Sequence, residues 1–432
     1  MSTTTLLKQL NSNLPLRSDF KSPQVLRQAR DLADRILSSG ISYAELVELE
    51  RVATSPSMKP TLSTILQLAI KNAKSKAALL GARALKVSLV MPAYGENVRL
   101  KPRGSGEGCD PNGEDFAVQK SLQLAWLFAG TPSTYLAYYV DDMSKAEPES
   151  SGAAIARVVR EHGLPNVQVL FLKDGVENDK AGGDLVASVL RGVEYPKNTR
   201  KAGAAYYGMA RAIQAGGTDG DHFVILTDCD LSVDVAQIGN LIQPMLDGDA
   251  VVAAGSRRLE ASILEIEPSR NVRANTARYF RQLLLPGLLP RDTQCGAKGY
   301  AAGALAKVLH SGMQVLDFSF DIELLTKFAL QFGADRVVPV AVAWFDSSEL
   351  TTTDSSVHWH IMRTQLAVAQ ANHTGSGPEF DRLVEVTSSL AADEDAWMHL
   401  LDYLGTRPDL AERLSSFDPA LLDELSSVSR AR

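Results

Sequence analysis

The chain has 432 residues, 45% of them apolar and 22% charged, so it can bury a sizeable core without disulfides or a structural metal. Its 44 Lys and Arg stand against 51 Asp and Glu, a net charge of −7. That balance argues against a general nucleic-acid binder, but a small phosphorylated ligand needs only a few local cations. Cys109, Cys229 and Cys295 are odd in number and widely spaced with no C-x-x-C pair, which argues against a disulfide framework or zinc ribbon and fits a reducing compartment.

Residues 1–82 read as a helical N-terminal extension. The opening stretch lacks the apolar run of a secretory signal, so the expected location is cytoplasmic. Ser22 followed by Pro23 predicts a helix start, and the apolar spacing from Val25 to Leu37 sustains the helix until Gly40. Ser42 and Glu45 form a capping box, with Ile41 and Leu46 placed as a hydrophobic staple. A third helix is predicted from Pro60 to Leu80. These helices offer a face for pairing subunits as a homodimer.

The texture changes at Lys86. Short β-rich runs at 87–94, 134–142, 167–174, 222–230, 251–256 and 336–345 alternate with helical stretches such as 152–162 and 202–215. This pattern predicts an α/β fold with a mostly parallel sheet flanked by helices, over residues 83–350. Ligands in such sheets bind outside the carboxyl ends of the strands. The Gly-rich segment 103–115 predicts a mobile loop. Residues 351–432 read as a helical, acidic C-terminal extension. Apolar runs such as 338–345 fall far short of the length that spans a bilayer, so no integral membrane segment is expected.

Five polar clusters interrupt this framework. Thr227-Asp228-Cys229-Asp230 comes directly after an apolar strand, and two carboxylates two residues apart past a strand end can reach one hard divalent cation. An EF-hand is excluded, because its sixth and twelfth positions hold Val233 and Gly239 rather than Gly and Glu. A metal-dependent phosphatase with the same D-x-D and a plain solvated turn remain as alternatives. Asp141 and Asp142 suit a ribose or base edge as hydrogen-bond acceptors, or a helix N-cap. Lys201 opens an Ala/Gly-rich helix start that lets a ligand approach closely and adds a charge for phosphate. Asp292, in Asp292–Lys298, is a candidate general base or a salt-bridge partner of Arg291. Asp321 and Glu323 open an apolar helix, where they also complement its dipole.

In this order the motifs resemble the family 2 glycosyltransferases of GT-A fold, above all the dolichyl- or polyprenyl-phosphate β-glucosyltransferases and dolichyl-phosphate-mannose synthases. Pro92-Ala93-Tyr94-Gly95-Glu96 is similar to that family's P-A-Y-N-E, and Asp141–Ser144 to its D-D-G-S. Lys201–Gly208 looks like K-G-x-A-x-x-x-G, Asp228–Ser232 like D-A-D-L-S, and Gly255-Ser256-Arg257 matches G-S-R. Asp292–Lys298 is similar to D-T-Q-C-G-F-K and Phe320–Leu325 to F-D-x-E-L-L. The departures are Gly95 for Asn, Met143 for Gly and Ala297 for Phe, together with the helical ends and the insert at 103–115.

The resemblance implies a GT-A glycosyltransferase acting on a nucleotide-diphospho-sugar, with a UDP-sugar favoured and a GDP-sugar as the alternative. Pro92, Ala93, Tyr94, Glu96, Asp141, Asp142, Lys201, Asp228, Cys229, Asp230, Ser256 and Arg257 would then line the donor. Asp228 and Asp230 would hold Mg²⁺ or Mn²⁺. Asp292 would be the base of an inverting transfer, with Gln294, Lys298, Asp321 and Glu323 on the acceptor side. The acceptor stays open among a small molecule, a glycan, a protein and a lipid phosphate. A retaining soluble enzyme of the glucosyl-phosphoglycerate or mannosylglycerate synthase type is the alternative, and in such enzymes a late His completes the metal shell. His358 and His360 are candidates for that role only if their segment is extended.

Overall fold

Seven of the nine strands found among the described residues fall in the β-rich runs of the sequence, where side chains pack well on a pleated surface. The structure, a computed structural model, describes residues 3–146, 148–181, 184–265, 270–345, 355–418 and 420–430. The strands are β1 Lys86–Ala93, β2 Thr134–Asp141, β3 Val167–Phe171, β4 His222–Leu226, β5 Val252–Ser256, β6 Ile263–Glu265, β7 Lys298–Ala301, β8 Val337–Ala341 and β9 Ala343–Phe345. Seven of them form one sheet in the order β3-β2-β1-β4-β7-β5-β8, and β6 pairs with β9. Every neighbouring pair in the large sheet is parallel except those made by β7, which runs antiparallel to β4 and β5. The expected architecture, a mostly parallel sheet flanked by helices, is therefore present.

The register decides where the polar clusters meet. Ala93 pairs with Asp141, and Val90 pairs with Leu226, so β1, β2 and β4 end at one edge. Because β7 is antiparallel, its first residue, Lys298, pairs with Leu226 and Ala254 and brings Asp292–Ala297 to that same edge. The sequence reading missed β6 and β7. Lys-Gly-Tyr-Ala has too little apolar pattern to announce a strand, and its two neighbours fix it there.

One face of the sheet buries Phe116, Leu124, Ala154 and Ile155, and the other is covered by the helices Ala202–Gly216, Ala302–His310 and Phe320–Phe332. The helix Ala202–Gly216 lies close against β1 and β2, since a Cβ on Gly208 would come 2.5 Å from Val90 and 2.8 Å from Val140. The Gly-rich segment 103–115 is folded on itself, with Gly104 N–H donating to Asp110 O and Asp110 N–H to Pro102 O, both at 3.0 Å.

The capping box at Ser42 and Glu45 forms as expected. The predicted third helix instead begins at Thr64, because Lys59–Thr61 is a tight 3₁₀ turn and Ser63 is the N-cap. The helix Thr64–Leu80 joins two cores: Leu66, Ile70 and Ala73 pack with the N-terminal helices, while Ile65, Leu68 and Leu79 enter the core beneath the sheet. Its Lys71 is fully buried, bonds Glu50 at 2.5 Å and reaches the Ala341 carbonyl at 3.1 Å. The C-terminal helices share a further core with Tyr279, Phe280 and Leu284 of the helix Arg270–Leu284. The expected boundary at 350 lies outside the described residues. Among the described residues, no helix is long and apolar enough to cross a membrane.

Candidate functional site

Past the end of β4, Thr227 N–H still donates to Val90 O at 3.0 Å, so the chain turns only at Asp228. Asp228 bonds Lys201 Nζ, and its carboxylate lies so close to Gly296 that any Cβ there would overlap it. Burial alone would raise the Asp228 pKa, but Lys201, Lys120 and Lys298 together bring it below its ordinary value. Asp230 receives the Ser232 backbone N–H and hydroxyl and the Arg99 guanidinium at 3.2 Å. Cys229 between them points into the core, where burial lifts its thiol far above the ordinary range, so it packs beneath the turn rather than lining the donor face.

Lys201 is aimed by strain. Arg200 and Lys201 have φ of 46° and 92°, unusual for residues with a side chain. Asp142 over-determines the turn by accepting from Thr199 N–H at 3.0 Å, Thr199 Oγ1 at 2.7 Å and Lys201 N–H at 2.8 Å. Asp141 accepts from Ser144 N–H at 2.9 Å, the Ser144 hydroxyl, and Gly152 N–H at 2.7 Å at the start of the helix Ser151–Glu161. Both carboxylates are thus engaged with the protein's own backbone.

Pro92 and Ala93 are buried at the end of β1, and Tyr94 and Glu96 are half-buried beyond it. Arg99 faces Glu96 at 3.0 Å and Asp230 at 3.2 Å, with Glu114 at 3.9 Å. The three carboxylates share Arg99, with Lys21 a further cation 3.6 Å from Glu114. Burial, with repulsion from Asp230 and Glu114, pushes the Glu96 pKa up to about 7 against the pull of Arg99. Glu114 is held in place by the Leu231 N–H at 2.7 Å.

At the end of β5, Ser256 is buried, and Arg257 clasps Asp292 through Nε and Nη2, both at 2.8 Å, and through its backbone N–H at 2.9 Å. The partner of Asp292 is therefore Arg257 rather than Arg291. Burial opposes ionisation, yet the Arg257 pair holds this carboxyl well below the usual range, which makes it a weak base in this arrangement. Gln294 has both ends of its amide buried without a partner. Lys298 is fully buried, 3.0 Å from Asp321. Glu323 accepts from Gln314 and Val315 N–H at 3.0 and 2.7 Å and pairs with Lys327 at 2.8 Å, which gives it a loop-holding role.

His358 and His360 lie on the helix Ser355–Asn372, and the His360 ring packs on Trp359 at 5.1 Å. Positions two apart on a helix point to different sides, so the extended geometry that would bring both to one ion is not found. Arg99, Glu114 and Lys120 escaped the sequence reading. Lys120 carried a signal, a lone cation in the apolar helix Phe116–Phe128, and it is fully buried. Arg99 precedes the Gly-rich segment, Glu114 lies within it, and neither carried one.

Among the described residues, no group of three or more His, Cys, Asp or Glu side chains is placed to hold a metal. Asp228 and Asp230 offer two hard carboxylate donors, which fits Mg²⁺ or Mn²⁺ when substrate phosphates complete the shell.

No protein-family model matches the chain, and no curated protein matches its sequence. Among solved structures, it is similar to glucosyl-3-phosphoglycerate synthase from Mycobacterium tuberculosis in complex with UDP, at 14% identity and TM-score 0.44, over 69% of this chain and 84% of that one. It is similar also to mannosyl-3-phosphoglycerate synthase from Rubrobacter xylanophilus, at 13% identity and TM-score 0.46, over 72% and 82%. Likeness of this degree says nothing of substrate.

Proposed function

We propose that this protein is a metal-dependent glycosyltransferase that moves a sugar from a nucleotide-diphospho-sugar, a UDP-sugar in the first instance, to an acceptor hydroxyl or phosphate. The observation that carries this reading is the acid pair Asp228 and Asp230 at the end of β4, framed by Lys201, Lys120, Lys298 and Arg99. Two carboxylates ringed by cations suit a divalent ion and a diphosphate bound together, because each charge then has a counter-charge.

Asp228 and Asp230 would hold the ion, which supplies Lewis-acid neutralisation of the leaving diphosphate. Lys201 would turn from Asp228 to a phosphate oxygen, and Asp142 keeps its backbone in place. Gln294 offers its amide to the reacting sugar or acceptor. Asp292 would act as base only once Arg257 has released it. Inversion is proposed from the resemblance of Asp292–Lys298 to D-T-Q-C-G-F-K.

The test is release of the nucleoside diphosphate from UDP- and GDP-sugars with Mn²⁺ and a panel of acceptors. The proposal expects release that needs the metal and disappears in Asp228→Ala/Asp230→Ala. Phosphate release with a trapped phosphoaspartate would overturn it in favour of a phosphatase. A product of retained configuration would remove Asp292 as base.

A further inference from the structure

A second concentration of charge lies beside the first. Asp292 gives both its oxygens to Arg257. Arg258, Arg278 and Arg281 stand within electrostatic reach of it, and Arg291 within reach of Arg278. Among the described residues Asp292 is the one carboxylate acting on Arg258, Arg278 and Arg281. Burial, together with like-charged neighbours, brings Arg278 and Arg281 down to about 10.

Arg281 is spent on structure, bonding Thr293 Oγ1 at 2.9 Å and the Arg291 carbonyl. Arg278 gives one nitrogen to Asn275 Oδ1 at 2.8 Å, while its Nε is buried with no partner. Arg258 and Arg291 are exposed. A wall comes from the C-terminal helices. Phe417, in the left-handed turn after the helix Pro408–Ser416, lies 5.8 Å from the Arg278 guanidinium and 5.7 Å from that of Arg291. The next residue, Asp418, is fastened by its carbonyl to Tyr279 Oη at 3.0 Å.

Guanidinium groups gathered around a single, already satisfied carboxylate repel one another, and partial burial weakens the screening by water. An oxyanion relieves that repulsion and suits the planar forks of Arg. We propose that Arg258, Arg278 and Arg291, walled by Phe417, form a receptor for a phosphate-type oxyanion, so that the C-terminal helices complete a ligand site. This site does not depend on the transferase reading. Its ligand is either free inorganic phosphate or a phosphate group carried on a reactant.

Calorimetric titration of the full chain with inorganic phosphate and with methyl phosphate, against NaCl of equal ionic strength, tests the proposal. Saturable binding is expected, weakened at least about tenfold by Arg278→Gln and by Arg291→Gln, the scale of one lost charge-assisted hydrogen bond. Arg291 is exposed, so its variant keeps the test open should Arg278→Gln fail to fold. Phe417→Leu should weaken binding by a smaller factor. Tighter binding of the ester supports the site and assigns a carried phosphate; equal binding supports it and assigns the free ion. Absence of saturable binding, or binding untouched by both Arg variants, overturns the proposal.

Discussion

Glu96 is the residue at which the electrostatics of the site are most exposed to measurement. Its folded pKa of about 7 lies above the ordinary glutamate value of about 4.3. A carboxyl raised on folding contributes stability that is complete below its unfolded pKa and is lost as pH rises through the folded one. Glu96→Gln removes that dependence. Urea unfolding at pH 5 and pH 8 should therefore show the variant gaining on the wild type, by on the order of 3 kcal/mol. An equal gap at both pH values would mean that Arg99 alone satisfies Glu96. None of this was visible in the sequence, because Arg99, Glu96 and Asp230 meet only through folding. The pair Asp228 and Asp230 was legible, since both come just after one apolar strand and the spacing alone puts them at its end.

At the scale of the element, the helix Thr64–Leu80 links the N-terminal helices to the sheet. Its Lys71 and Lys74 flank Glu50, whose carboxyl would be raised by burial but is held by them at about 2. Glu50→Gln leaves Lys71 buried without its counter-charge, which should cost about 3–5 kcal/mol near neutral pH. For a lowered carboxyl the sign reverses: the contribution is present above about pH 4.3 and fades as pH falls towards 2. Unfolding curves of wild type and variant should converge across that window, and a gap independent of pH would point to packing alone. The capping box that starts the helix Tyr43–Ala53 could be read in advance because its partners lie three residues apart. Strand β7 could not, since pairing with β4 and β5 rather than its own composition makes it a strand.

Over the whole molecule, the parallel strands were announced by their β-branched runs, whereas the association of the helical ends with the sheet was not. Tertiary hydrogen bonds hold those ends: Lys71 to the Ala341 carbonyl, Asn72 to the Asp234 carboxylate at 2.9 Å, and Tyr279 to the Asp418 carbonyl. The antiparallel insertion of β7 then gathers segments more than 150 residues apart in sequence, from Glu96 to Asp292, onto one edge of the sheet. That edge is where a nucleotide-sugar donor is expected to bind. The most direct measurement is the thermal shift of the full chain with UDP-, GDP-, dTDP- and ADP-sugars in Mn²⁺, on wild type and on Asp228→Ala/Asp230→Ala. A ligand that binds only the native state raises the melting point by mass action. A metal-dependent rise with one nucleotide sugar, abolished in the double variant, is expected. No rise with any nucleotide sugar, or a rise that the double variant keeps, would contradict the proposed transferase function.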